Sequence, residues 1–416
     1  MHRTQARVEG SGEFRMLSDA TITLVKATVP VLRTHGEAIT TRFYERLLAA
    51  PEIAAMFDPA HQRDGSQPRA LAAAVLAYAE HIDNLAALAG AVERIAHKHV
   101  AVQVRPEQYD VVGANLLAAI SDVLGDAATP PILAAWGEAY GLLAKVFIDR
   151  EAALAGEVAA RPGGWRGFRH FVVEAVAEES RVIKSFLLAP EDGGALPDFA
   201  PGQYLTLRLT RPDGTQLLRH YSLAGRAANG RWRIAVKREP EGRGSGLLHD
   251  TIRPGAVLEV APPAGDFFLD AETPRPILLL GAGVGQTPLL AMVETLAATR
   301  PDHPVIWAHA AIDGETHAFG AHLRALAEAT PGLDLHIAYE RPGASDRVGV
   351  THHSVGRFDA ERIAGLLPDR EVDVYMCGPR AFQKAQARHL IAAGVAPANI
   401  RYELFGVTDE AILGAA

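Results

Sequence analysis

The spacing of apolar residues changes twice along this chain, and each change restricts what the next stretch can fold into. From 17 to 153 it is helical throughout, with stripes through 39–48, 71–88, 91–102, 106–124 and 132–154. Proline or glycine marks the turns between them, at Pro51, Gly65, Pro106 and Pro130. Ser18 or Asp19 can cap the first helix, ahead of Ile22, Val25 and Val29. An all-helical region of this size has room for a cofactor pocket between helices. Residues 155–165, AGEVAARPGGW, are expected to form a linker.

From Phe171 the period falls to two. FVVEAVAEE, RVIKSFLLAP, QYLTLRLT, LLRHYSL and RWRIAVKRE are short strands with turn signals between them, the pattern of a small antiparallel barrel. From Pro276 the apolar run ILLL meets a glycine-rich turn and the helix LLAMVETLAA. Strands VIWAHA, LHIAYE and DVYMCG then alternate with helical stretches, an α/β nucleotide-binding layout. The expectation is a multidomain chain: a leader 1–15, an all-α domain 16–154, the linker 155–165, an antiparallel β-barrel domain 166–272 and an α/β domain 273–416. Met16 is the expected start, because periodic sequence begins directly after it.

Composition removes several function classes. A net charge of -8 argues against nucleic acid and anionic membranes as partners. No run approaches the ~20 apolar residues of a spanning helix, and the opening MHRTQARVEGSGEFRM lacks the apolar core of a secretory signal. The single cysteine, Cys377, excludes an internal disulfide framework and a cysteine-ligated iron–sulfur cluster. A cytoplasmic location is expected.

The turn GAGVGQTP follows a strand and opens a helix. Gly283, Val284, Gly285, Gln286, Thr287 and Pro288 would let backbone N–H groups approach a diphosphate at a helix N-terminus. The spacing is neither that of a Walker A loop nor GxGxxG, and a plain strand–helix turn uses glycine too. RHYS at 219–222 ends a strand and resembles the flavin motif of the ferredoxin-reductase superfamily. Arg219 can fork onto a diphosphate, Tyr221 offers an aromatic face, Ser222 can hydrogen-bond the flavin ring, and His220 lies between them. Tyr204 in PGQY and Ser245 in GSGLLH stand at the superfamily's spacing. CGP at 377–379 and the C-terminal segment Glu403, Leu404, Phe405, Gly406 and Val407 are implied to border nicotinamide and flavin. Tyr204 and Tyr221 serve equally as half-buried strand aromatics. The resemblance implies hydride transfer from NAD(P)H to FAD. With one cysteine the next acceptor is the helical domain or an external partner.

LAALAGAVERIAHKHV holds two histidines. At helical spacing Leu85, Leu88, Val92, Ile95, Ala96 and His99 share an apolar face, so His99 is expected inward and His97 outward. A histidine there is either a packed core residue or a ligand for iron. FYERLL, MF, GSQPRAL, AVERIAHKH, RPEQY and VFIDRE occur in the order seen in flavohaemoglobins, which the chain resembles from Met16 onward. The resemblance implies a globin domain over 16–154 holding haem b, with His99 as the iron ligand. It implies a catalytic pair, Tyr109 and Glu151, on the histidine's side. It places Tyr44, Gln67 and Leu71 in the distal pocket and Phe57 against the haem. Lys98 and Glu403 match positions that tune the haem and flavin potentials.

That family reading implies nitric oxide dioxygenation: NAD(P)H, O2 and NO give nitrate, with electrons passing from NAD(P)H to FAD to haem. The alternative is an oxygen-binding or sensing globin whose reductase only keeps iron ferrous. HAAIDGETH, after the second strand of the α/β domain, has no arginine pair for a 2′-phosphate, which favours NADH. A monomer with small-molecule partners is expected. Val407, Leu404 and Gly246 depart from the family's usual proline, cysteine and asparagine.

Overall fold

The structure is a computed structural model that describes residues 17–54, 57, 65–226, 230–368 and 370–406. The expected leader 1–15, the start at Met16 and the flavin-side residue Val407 lie outside the described residues. The chain divides into two compact units, one made of residues up to 49 with 71–90 and 105–149, the other of 50–70, 91–104 and everything from 150 onward.

Among the described residues, six main helices form the first part of the chain: α1 (Asp19–Ala27), α2 (Val29–Leu47), α3 (Ser66–Glu80), α4 (Ala89–Ala101), α5 (Pro106–Leu124) and α6 (Pro130–Ala160). Ser18, not Asp19, caps α1, its hydroxyl accepting from the Thr21 N–H at 3.1 Å. In the first unit α2 packs along α5, and the two bury Ile39, Phe43 and Leu47 on one side and Leu116 and Ile120 on the other. The Tyr78 hydroxyl donates to the Ala139 carbonyl at 2.7 Å.

Three expectations are corrected. The stripe 71–88 is not one helix: α3 ends at Glu80, and a separate 3-10 turn spans Leu85–Leu88. The polar stretch His81–Asn84 offers its own turn bonds, Asn84 N–H to the His81 carbonyl, while Asp83 pairs with Lys26. The expected linker 155–165 is helical as far as Ala160, because nothing in AGEVAA breaks a helix before Pro162. By length and composition α6 is apolar enough to cross a membrane, which the sequence reading did not anticipate. In the first unit the same helix buries Trp136, Ala139 and Phe147, and its Glu138 accepts from the Thr21 hydroxyl at 2.7 Å.

The second unit carries two sheets. The first is antiparallel, ordered β4-β3-β6-β1-β2-β5, with β1 (Arg169–Glu178), β2 (Ile183–Pro190), β3 (Tyr204–Thr210), β4 (Gln216–Ser222), β5 (Trp232–Lys237) and β6 (Val257–Val260). Leu223 bridges to Ile234 just beyond β4, which brings the two edge strands together and closes the barrel. Helix α7 (Arg243–Thr251) lies between β5 and β6. Phe171, Phe186, Leu188, Leu205, Leu207 and Trp232 fill the interior.

The second sheet is fully parallel, ordered β10-β9-β8-β7-β11-β12. Its strands are β7 (Ile277–Ala282), β8 (Val305–Ala311), β9 (Leu333–Tyr339), β10 (Ser354–Val355), β11 (Asp373–Cys377) and β12 (Ile400–Glu403). Its helices are α8 (Gln286–Thr299), α9 (Gly320–Ala329), α10 (Ala360–Leu366) and α11 (Arg380–Ala392). Strands β7, β8 and β11 are buried on both faces, hence the continuous apolar runs in their sequences. From β7 the order runs out to β8 on one side and to β11 on the other. That reversal makes a crevice at the strands' C-terminal ends, where ligands of such sheets bind.

Trp232 stacks on Phe171 at 5.7 Å between centroids and is 1% exposed. Trp232→Ala should cost about 3–5 kcal/mol in urea unfolding of the reductase part. A loss under about 1 kcal/mol would show that the barrel repacks around the space.

Candidate functional site

The glycine turn and CGP meet at the reversal point. Gly283–Gly285 form a 3-10 turn between β7 and α8, and Gly283 takes a left-handed φ of 54°. A Cβ on Gly285 would stand 2.3 Å from the Cys377 carbonyl oxygen, so only glycine lets α8 begin this close to the end of β11. Thr287 donates to the Val284 carbonyl at 2.9 Å and tightens the turn. Gln286, Thr287 and Pro288 are buried. Both amide atoms of Gln286 are buried without a hydrogen-bond partner among the described residues. A glycine turn, a helix N-terminus and an unsatisfied amide fit a dinucleotide diphosphate.

The RHYS strand and the GSG segment also come together. A Cβ on Gly244, in the first turn of α7, would lie 2.9 Å from Arg219 Cγ and 3.4 Å from the Tyr221 hydroxyl. Ser245 is buried, accepting from the Glu239 N–H at 3.1 Å. Ser222 is buried opposite Tyr204 in the β3–β4 register. The Tyr204 ring lies 4.8 Å from that of His220, whose Nδ1 meets the Thr206 hydroxyl at 2.8 Å. A guanidinium beside a helix start, with two tyrosines on adjoining strands, fits a flavin and its diphosphate.

Tyr204, His220, Lys98, Glu403 and Asp266 come close enough in the second unit for their charges to act on one another. Solvent reaches the His220 ring, yet protein crowds it on most sides, and that crowding, with the Lys98 and Arg219 charges, pushes it down to about 4. Burial pushes the Glu403 carboxyl up to about 7, against the pull of Lys98 and with a further push from Asp266. Burial lowers Lys98, opposed by the same two carboxylates. Asp266 was not anticipated from the sequence, where one aspartate in PPAGDFF has no distinguishing spacing. Leu404 packs into the core of the parallel sheet rather than into a crevice. Phe405 is 50% exposed, and Gly406 takes a φ of 141°.

His99 Nδ1 lies 2.7 Å from Glu151 Oε1, and Glu151 is buried. One ring nitrogen is thereby engaged, which suits a histidine that offers the other to a metal. The expected outward His97 is corrected. Its side chain is 16% exposed against 33% for His99, and it lies 3.3 Å from Glu93. Glu93, one turn earlier on α4, is gripped by Arg150 of α6 with two bonds of 2.7 Å, so an ion pair occupies the face that helical phasing left to solvent.

The remaining predicted residues are spread over both units. Tyr44 is buried in the first unit with its ring edge-on to Phe43 at 5.0 Å. Tyr109, also there, stacks on Phe147 at 6.4 Å, and its carbonyl accepts from the Tyr140 hydroxyl at 2.7 Å. Leu71 in the first unit and Phe57 and Gln67 in the second are half-buried.

The contact at Gly285 generates a direct test. Gly285→Ala must displace either α8 or the CGP turn, so the KM for NADH should rise about ten-fold or more, equivalent to about 1.4 kcal/mol. The flavin absorbance of the purified protein should not change. An unaltered KM would show that the dinucleotide does not use this turn.

Comparison with known proteins places the chain in one family. Residues 41–147 match the globin family, 170–269 the oxidoreductase FAD-binding domain and 279–388 the oxidoreductase NAD-binding domain. A flavohemoprotein of Bordetella pertussis is 48% identical over 399 residues, which cover 94% of this chain and 99% of that protein. One from Halalkalibacterium halodurans is 46% identical, covering 94% of this chain and 97% of that protein. Among solved structures, the flavohemoglobin of Malassezia yamatoensis with bound FAD and heme has a TM-score of 0.83 at 29% identity, covering 94% of this chain and 100% of that one. The FAD/NAD-binding domain of a nitric oxide dioxygenase from Vibrio cholerae has a TM-score of 0.53 at 34% identity, covering 58% of this chain and 100% of that one. A helical globin precedes an antiparallel FAD-binding domain and a parallel NAD-binding domain, so the chain is an oxidoreductase belonging to the flavohemoprotein family.

Proposed function

We propose that this chain is a nitric oxide dioxygenase, converting NO and O2 to nitrate with electrons drawn from NAD(P)H. The observation that carries the reading is the 2.7 Å His99–Glu151 contact, in a chain that continues into an FAD- and NAD-binding reductase. Haem supplies, when bound, an iron centre for O2, and FAD supplies a carrier that takes electrons in pairs and releases them singly. His99 would hold the iron through Nε2, since Nδ1 faces Glu151. The Glu151 carboxylate makes that imidazole more basic and holds its tautomer. Tyr109 is assigned to the same catalytic group, and Tyr44 and Gln67 to hydrogen bonding on the O2 side, as the family resemblance implies.

In the reductase, Arg219, Tyr221, Ser222, Tyr204 and Ser245 would hold the flavin. The turn 283–285 and the start of α8 would hold the dinucleotide. Lys98 and Glu403, whose charges act on one another, would tune the potentials. The proposed setting is the cytoplasm, as a monomer without nucleic-acid or membrane partners and with NADH as the preferred donor.

The deciding measurement is NADH oxidation driven by NO under oxygen. Nitrate should accumulate at one equivalent per NO consumed, and His99→Ala should abolish it. Reversible O2 binding with no NO-dependent NADH oxidation would favour an oxygen-holding globin instead. His99→Ala should also remove the haem Soret band while NADH still bleaches the flavin within about two-fold of the wild-type rate. His97→Ala should keep the haem and lose only some stability, because His97 pairs with Glu93. Haem loss from His97→Ala with retention in His99→Ala would reverse the ligand assignment.

A further inference from the structure

Glu294 lies on α8, eight residues after Gln286 and so about 12 Å along the helix from the glycine turn. Its side chain is 15% exposed and collects three donors. The Arg226 backbone N–H reaches Oε2 at 2.7 Å, Arg233 Nη2 reaches Oε1 at 3.1 Å, and His322 Nε2 meets Oε1 at 2.8 Å. Arg226 follows the RHYS strand β4, and Arg233 lies on β5. Both belong to the antiparallel barrel, whereas Glu294 and His322 belong to helices of the parallel-sheet domain.

The donors are themselves fixed. Arg233 Nε donates to the Ala224 carbonyl at 2.6 Å, and the guanidinium sits 5.2 Å from the Phe319 ring centroid. Gly225 holds a φ of 108°, and a Cβ there would come within 2.4 Å of Arg233 Nη2 and 2.9 Å of Glu294 Oε2. The node therefore closes only because the residue directly before Arg226 is glycine. Burial acts to raise the Glu294 carboxyl, but the hydrogen bonds from His322 and Arg226 and the Arg233 charge hold it below its ordinary range.

We infer that Glu294 is a positioning residue for hydride transfer, tying the strand that carries Arg219, Tyr221 and Ser222 to the helix whose first turn carries the dinucleotide. The inference rests on the reading that the reductase passes a hydride from NADH to the flavin. In that step the C4–H bond of NADH breaks and its electron pair leaves with the hydrogen to form an N–H bond at the flavin N5, so NADH becomes NAD+ and the flavin takes both electrons as its reduced anion. Such a transfer depends steeply on placement, with about 1 Å of misplacement costing on the order of 100-fold. Ile183, Ala235 and Phe267 of the barrel side are buried in one apolar cluster with Leu279, Trp307 and Ile337 of the parallel sheet, which holds the two together without direction, and charge-assisted hydrogen bonds supply the direction.

The test uses the full-length protein with FAD bound. Stopped-flow loss of oxidised-flavin absorbance at saturating NADH gives the hydride-transfer rate. Hydrogen–deuterium exchange of the peptide spanning 223–226 reads the node independently of turnover. Glu294→Gln should lower the rate about ten-fold or more, with flavin content unchanged and the NADH Kd within about two-fold of wild type. Exchange at 223–226 should rise, and Glu294→Asp should restore part of both. Arg233→Lys keeps the charge and loses the fork. It should show an intermediate rate, and it carries the test if Glu294→Gln does not fold. A wild-type rate in Glu294→Gln, or a fall matching lost flavin, would overturn the inference. A wild-type protein whose flavin NADH fails to bleach would instead overturn the hydride reading, and this inference with it.

Discussion

The reductase is organised by one continuous apolar cluster shared by its two sheets. Ile183, Ala224, Ala235, Phe267 and Leu269 from the barrel side are buried together with Leu279, Trp307, Phe319 and Ile337 from the parallel sheet. Burial of that kind has no preferred direction, so it makes the lobes adhere without choosing their angle. The angle comes from directional contacts at the cluster's margin. Glu294 collects donors from both lobes, and Tyr375 OH accepts from the Asp270 N–H at 2.8 Å. Glycine at 225 and 285 then permits the backbone approaches on which flavin and dinucleotide placement depend.

The charged cluster obeys a different physics. Lys98 and Glu403 act on one another where burial already disfavours both charges, and the Asp266 carboxylate acts on each of them. Burial lifts the Glu403 carboxyl to about 7, Lys98 pulls it back and Asp266 adds to the lift. Lys98 is the neighbour in sequence of His99, whose ring is set by Glu151. One turn of α4 therefore carries both a metal-ligand candidate and a charge that senses the reductase side of the same unit.

Periodicity was a reliable guide wherever a single element decides its own burial. The shift from helical to alternating spacing at Phe171, and the ILLL run before the glycine turn, lie where the structure changes class. It failed where a distant segment decides. His97 lies on the polar side of α4 by phase, yet Glu93 and Arg150 cover it. The break after Glu80 follows from turn bonds of His81 and Asn84 that apolar spacing does not register. The extension of α6 to Ala160 was missed for a local reason, since the RPGG that follows marks the end of the helix while AGEVAA before it still continues one.

The sequence by itself determined the class and order of the domains, because hydrophobic spacing and glycine placement act over a few residues and survive without knowledge of the fold. It also named the residues of the flavin strand, the glycine turn and the histidine helix, whose chemistry is written in short motifs. Only the tertiary structure decided which nitrogen of His99 is engaged, that Asp266 joins Lys98 and Glu403, and that Glu294 receives bonds from Arg226, Arg233 and His322. Those pairings link residues as far apart as Lys98 and Glu403. Their strength depends on distance, direction and local burial, and chain closure through the whole fold sets all three.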